Sequence, residues 1–255
     1  FQIPAQETRA AVKAADRAQW IFRHRLVKAG EQVLKQAEEQ GTYAVVLAAR
    51  PYQTDALVNH DLPALFTSLG IPVLTVDSVP HANEVDLSRS ALDIVNNYHA
   101  RMLSTAILAA QDPRMEYVQI VSFGCGHDAY LSDEIIRLMG EISGKTPLVL
   151  KLDESDVQGP LRIRVRSFVE TLAMRREREK SRPVQELEDP YPVKFSRRDK
   201  KERLVLIPNV SHAFCRVMSA AMGKDGLRTV PLEVGREEAI RLGKQYVHND
   251  ICFPA

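Results

Sequence analysis

The sequence has only three cysteines in 255 residues, Cys125, Cys215 and Cys252, spaced far apart along the chain. That excludes the dense disulfide framework of small secreted domains, and no C-x-x-C pair offers the usual tetrahedral zinc set. Neither charge sign is in excess. Against 34 Lys and Arg stand 33 Asp and Glu, a net charge of +1, so no overall field draws nucleic acid or an anionic membrane. No apolar run approaches the roughly 20 residues that cross a bilayer, and the N-terminus lacks the basic, apolar, small-residue layout of a secretory signal. These absences give the expectation of a reduced, cytoplasmic protein with neither membrane nor nucleic acid as partner. The glycine pattern G-x-G-x-x-G, the phosphate loop G-x-x-x-x-G-K-[ST] and the nucleophile elbow G-x-S-x-G are also missing, so the common dinucleotide, NTPase and hydrolase signatures are absent.

The chain does contain an ordinary globular composition, 45% apolar and 26% charged, in a regular alternation. Residues 8–40 are rich in Ala, Lys, Gln, Glu and Arg, with apolar positions near helical spacing, which predicts one or two amphipathic helices with Gly30 as an interruption. "YAVVLAAR" (43–50), "PVLTVDSV" (72–79), "EYVQIVSFG" (116–124) and "PLVLKLD" (147–153) are short strand-like runs, the first of them continuously apolar. Such a run marks a strand covered on both faces. Between them lie helical stretches at 59–70, 86–111 and 132–143, the last with Ser132 as N-cap and Asp133 and Glu134 in its first turn, and another follows at 160–179. The alternation predicts an open, mostly parallel α/β sheet, Rossmann-like or flavodoxin-like, with helices on both faces. The start of a second α/β domain follows, with strands at 203–211 and 227–234.

The expected division is therefore N-terminal helices over 1–40 packing on a first α/β domain over 41–175, then a charged linker over 176–203, then a partial second α/β domain over 204–255. The acids interspersed in "SRRDKKER" (196–203) favour a solvated surface over a phosphate-binding tract. Two strands cannot bury both faces of a parallel sheet, so the chain reads as a piece of a longer polypeptide.

Open α/β sheets bind ligands at the carboxyl ends of their strands. Those ends carry "ARPYQTD", "DSVPHAN", "GCGHDAY" and "DESDVQG". Cys125 lies between two glycines in the third, and Cys252 follows "HND", whereas Cys215 falls on a helical face. An isolated cysteine is more often a small hydrophobe than a ligand. Iron–sulfur clusters, however, take thiolates from distant turns.

Several separated stretches together resemble one family. "ARPYQTDALVNHDLPALFTSLGIPVLTVDSV" (49–79), "SFGCGHDAYLSDEI" (122–135), "LKLDESDVQGPLRIRVRSFVETL" (150–172) and "YVHNDICFPA" (246–255) are similar, in order, to segments of the CoA-substrate-specific enzyme activases. These are large proteins related to 2-hydroxyacyl-CoA dehydratase activators and dehydratase subunits. The resemblance departs at Ala49, where the family has Gly, and at Gln53, where it has His.

The resemblance implies a piece without the actin-like ATPase modules, which would be its partners, and an ATP-driven delivery of low-potential electrons to a CoA thioester. It implies a [4Fe–4S] cluster with Cys125 and Cys252 as ligands, a set left incomplete in this chain; Cys215 has no counterpart. Arg50, Tyr52, Asn59 and His60 match family positions and are candidates to line a substrate cleft, with capping of the helix near Leu62 as the alternative for Asn59 and His60. Asp77, Asp153 and Glu154 are open to the same two readings. Two other functions stand beside the cluster: a docking or scaffold domain that needs neither cysteine, and a metal-free acyl-CoA-binding domain.

Overall fold

A computed structural model describes residues 3–94, 96–121, 126–152, 158–178, 185–191, 193–235 and 237–246. The chain divides into two compact units, Phe1–Glu188 and Asp189–Ala255.

The first unit is built on four parallel strands, β1 (Ala44–Ala48), β2 (Val73–Thr75), β3 (Met115–Val121) and β4 (Leu148–Lys151), in the order β2-β1-β3-β4. The register pairs Val46 with both Leu74 and Tyr117, and Ile120 with Leu150. Every residue of β1 is buried, as its unbroken apolar run requires. Ala44, Val46 and Ala48 face a core shared with α1 (Ala5–Glu39), α3 (Asn97–Gln111) and α4 (Gly126–Ser143). Tyr43, Val45, Leu47 and Ala49 face an opposite core shared with α2 (Leu62–Ser68) and α5 (Gln158–Arg178). Helices thus cover both faces, as the alternation of elements predicts.

Three local expectations need correction. Gly30 does not interrupt α1, a single helix of 35 residues. Its missing side chain serves packing instead: a Cβ there would stand 1.9 Å from the Ser78 carbonyl oxygen. Only Gly30, Leu34 and Ala37 of α1 are buried, and residues 5–20 are exposed throughout.

Residues 86–94 and 96 do not begin α3. Asp86 accepts bonds from the amide and hydroxyl of Ser88 (2.9 and 2.8 Å), the Ser90 hydroxyl accepts from Leu92, and Asn96 caps the helix by accepting the Tyr98 amide at 2.8 Å. Short polar side chains here take the backbone groups that a helix would use.

Helix α4 starts at Gly126, so Ser132 is an interior residue whose hydroxyl donates to the Asp128 carbonyl at 2.7 Å. Glu134, 5% exposed, holds the preceding loop, accepting the Ala91 amide at 2.7 Å and the Arg137 guanidinium at 2.8 Å. Burial pushes its carboxyl up, but Arg137 and the Ala91 amide outweigh that and hold it below the ordinary range.

Arg175 and Arg176, on α5, bond the fully buried Glu116 of β3 at 2.5 and 3.3 Å, and α6 (Asp199–Glu202) is helical. Lys145 carries a role that its sequence context does not announce. Its ammonium donates to the carbonyls of Ala109, Asp112 and Met115 at 2.7–2.8 Å, closing the turn from α3 into β3.

The second unit pairs β5 (Leu204–Ile207) with β6 (Arg228–Pro231) in parallel, joined by α7 (His212–Lys224) and followed by α8 (Glu237–Tyr246). Leu206, Phe214, Val217 and Leu242 remain exposed, as expected when two strands must supply a whole sheet. Among the described residues no helix is long and apolar enough to cross a membrane.

Candidate functional site at the carboxyl edge of the sheet

The strand order reverses between β1 and β3, which makes their carboxyl ends the topological switch point, the usual ligand crevice of such sheets. After β1 the chain must turn at Arg50-Pro51. A residue before proline is driven to extended backbone, and Arg50 has φ −70° and ψ 155°. Pro51 then opens a 3₁₀ turn over Pro51–Thr54. Arg50 and Gln53 close this turn reciprocally: the Arg50 amide donates to Gln53 Oε1 at 2.8 Å, and the Gln53 amide to the Arg50 carbonyl at 2.8 Å.

The Arg50 side chain reaches across the switch point. Its Nη2 donates to Asp128 Oδ1 at 2.5 Å. Asp128 is 5% exposed and sits in the first turn of α4, where the positive helix end favours a carboxylate. The pair ties the turn after β1 to the helix that follows β3. Sequence reading singles out Arg50 but misses Asp128, whose two-residue offset from the GCG glycines is the signal available.

Tyr52 is half exposed on the 3₁₀ turn. Asn59 is buried. Its Nδ2 donates to the Gln53 carbonyl at 3.0 Å, and its Oδ1 has no partner among the described residues. Neither Asn59 nor His60 caps α2; the N-cap position is held by Asp61. His60 and Asp61 have φ of 53° and 57°, two successive left-handed residues that are not glycine. Such backbone costs on the order of 1–3 kcal/mol per residue and collects at functional turns.

After β2, Asp77 pairs with Arg101 of α3, which lies 5.5 Å from the Tyr98 ring centre. Ser78 folds the chain back by accepting the Thr75 amide and donating to the Thr75 carbonyl, both at 2.9 Å.

The structure brings Arg50, Tyr52, Asn59 and His60 together on one connection, from β1 to α2. Cys125, Cys252, Asp153 and Glu154 lie outside the described residues. In sequence, Cys125 stands between Val121, the last residue of β3, and Gly126, the first of α4. The remaining cysteine, Cys215, is buried on α7 and donates to the Pro208 carbonyl at 3.1 Å, a packing role in keeping with its helical face. Among the described residues no group of three or more His, Cys, Asp or Glu converges as a metal site. The described residues therefore supply an iron–sulfur centre with no thiolate. The N-terminal end of α4, an 18-residue helix, already carries the buried Asp128 carboxylate.

No curated protein and no solved structure matches the chain. Residues 1–79 match the family model described as the CoA enzyme activase uncharacterised domain. That stretch, which carries α1, β1, the Arg50 turn, α2 and β2, is what the chain shares with the CoA enzyme activases.

Proposed function

We propose that the chain is an iron–sulfur-binding module of a 2-hydroxyacyl-CoA dehydratase and activase type of system. In this reading Cys125 and Cys252 ligate a four-iron cluster that takes part in ATP-driven electron transfer to a CoA thioester. The supporting observation is the reversal of strand order between β1 and β3, since Cys125 belongs in sequence to the connection leaving β3 at that switch point. A bound cluster would supply one-electron transfer at low potential. This chain's own residues would provide two thiolates and, through Arg50 and Asp128, a fixed seat for the start of α4. Tyr52, Asn59 and His60 would line the substrate side of the same edge. The partners consistent with the family match are ATPase or dehydratase modules.

Anaerobic reconstitution with iron and sulfide of the chain together with its ATPase or dehydratase modules, followed by desalting, tests the reading. The expected result is retained iron and sulfide with broad visible absorption, reduced in Cys125→Ser and in Cys252→Ser and kept in Cys215→Ala. Equal iron in wild type and Cys125→Ser overturns it.

One observation favours the docking alternative: residues 5–20 of α1 are exposed throughout, and Val12, Trp20 and Phe22 on that helix are all more than half exposed. In that reading both cysteines are dispensable for assembly, and Trp20→Ala weakens it.

A further inference from the structure

A cavity lies away from the Arg50 turn. It measures about 730 Å³ and is enclosed by α1, the loop after β2 and the first half of α3. That volume falls within the range of small-molecule sites, roughly 300–1,000 Å³, and its floor is the carboxyl end of a parallel strand.

The lining combines three kinds of group. Phe22 and Tyr98 are flat rings left 61% and 44% exposed, one on each helical wall. Asp77, just past β2, is bound to Arg101, yet a carboxylate has about four acceptor positions and keeps capacity for hydroxyl donors. An acid in this place after a strand is what a doubly wound sheet uses to hold a ribose. The third group is cationic. Arg101 is already neutralised by Asp77, although its Nε is buried without a partner among the described residues. Arg23 lines the same cavity and has no ion-pair partner among the described residues. At the rim His81 holds a left-handed φ of 62° and bonds Glu84 at 3.0 Å, so that acid is engaged too.

An exposed ring pair, a hydroxyl-accepting acid and one uncompensated guanidinium are the complement of a base, a ribose and a phosphate. We propose that this cavity binds a ribonucleoside phosphate, its base against Phe22 and Tyr98, its ribose at Asp77 and its phosphate at Arg23. The absence of glycine-rich phosphate motifs from the sequence is consistent with a phosphate held by a side chain rather than by a loop of amides. The site is separate from the cluster, and the two readings fail independently.

ADP and dephospho-CoA carry this chemistry with both ribose hydroxyls free, whereas CoA bears on that ribose a 3′-phosphate that the Asp77 carboxylate disfavours. Calorimetric titration of the whole chain with ADP, CoA, dephospho-CoA and pantetheine separates them. The expected result is saturable binding of ADP and dephospho-CoA, weaker binding of CoA and none of pantetheine. Arg23→Ala should weaken it about tenfold and Tyr98→Leu by a similar factor, while Cys125→Ser leaves it unchanged. Tighter binding of dephospho-CoA than of ADP assigns the natural ligand to a pantetheine-bearing nucleotide, and equal binding assigns it to the diphosphate; tighter binding of CoA than of dephospho-CoA overturns the seat of the ribose at Asp77. Arg23 is exposed, so its variant is expected to fold; matching circular dichroism of variant and wild type checks this. No binding of either nucleotide at millimolar concentration, or binding indifferent to both substitutions, overturns the proposal.

Discussion

Gly30 gives the sharpest energetic test of how α1 is seated. Replacing a helical glycine with alanine ordinarily gains about 1 kcal/mol, because the chain loses less backbone freedom on folding. At Gly30 the new methyl carbon would meet the Ser78 carbonyl oxygen at 1.9 Å, its carbon at 2.9 Å and the Ser78 Cβ at 3.4 Å. An ordinary C···O approach is about 3.3 Å, so helix or loop must move by more than about 1 Å. The contact is with backbone, and Ser78 is itself held to Thr75. Overpacking of this kind costs typically about 1–3 kcal/mol, and rigid backbone points to the upper end.

Subtracting the propensity gain leaves Gly30→Ala destabilising by about 2 kcal/mol, a fall in Tm of roughly 4–8 °C for a unit of this size. Gly140 of α4 is the control. Nothing lies within 4 Å of its Cβ position, so Gly140→Ala should raise Tm by roughly 2–4 °C. Thermal melts followed by circular dichroism decide the matter. If Gly30→Ala is as stable as wild type while Gly140→Ala behaves as stated, α1 does not rest on Ser78 and the reasoning fails.

Three further outcomes follow from buried charge. Arg50→Met leaves the Asp128 carboxylate buried without its cation and should cost about 2–3 kcal/mol in urea denaturation; adding Asp128→Asn should recover most of that loss. Glu134 and Asp112 are both held below the ordinary carboxylate range. In each, burial raises the carboxyl and bonds from Arg137 or Arg114 outweigh it. Their contribution is therefore full above the unfolded carboxylate pKa and is lost as pH falls through the lower folded values; Glu134→Gln should flatten the acid side of the stability–pH curve. Lys145→Met strips a donor from three carbonyls and should lower stability by about 2–4 kcal/mol, measured by the same melts.

The parallel sheet is legible in the sequence because its signal is local. The unbroken run at Tyr43–Ala49 can only be a strand covered on both sides, and all of it is buried. The turn chemistry around it is harder to read. Ser132 has the residue type and neighbours of an N-cap, yet a serine inside a helix can satisfy its hydroxyl on the carbonyl four residues back, and it does. Gly30 looks like a breaker from propensity alone; the close approach that explains it comes from Ser78, 48 residues away in sequence. The pairing of Arg175 and Arg176 with Glu116 is not legible, because that acid lies on a strand of mostly apolar residues far away in sequence. At the site, Arg50-Pro-Tyr announces a turn after a strand, but its tie to Asp128 depends on which strands are neighbours. That order, β2-β1-β3-β4, follows from packing.

The central proposal is that Cys125 ligates an inorganic centre at the switch point. Iron and acid-labile sulfide measured per chain after anaerobic reconstitution, in wild type beside Cys125→Ser, test it most directly. The account predicts substantial loss of both in the variant with its melting unchanged; equal contents in the two proteins contradict it.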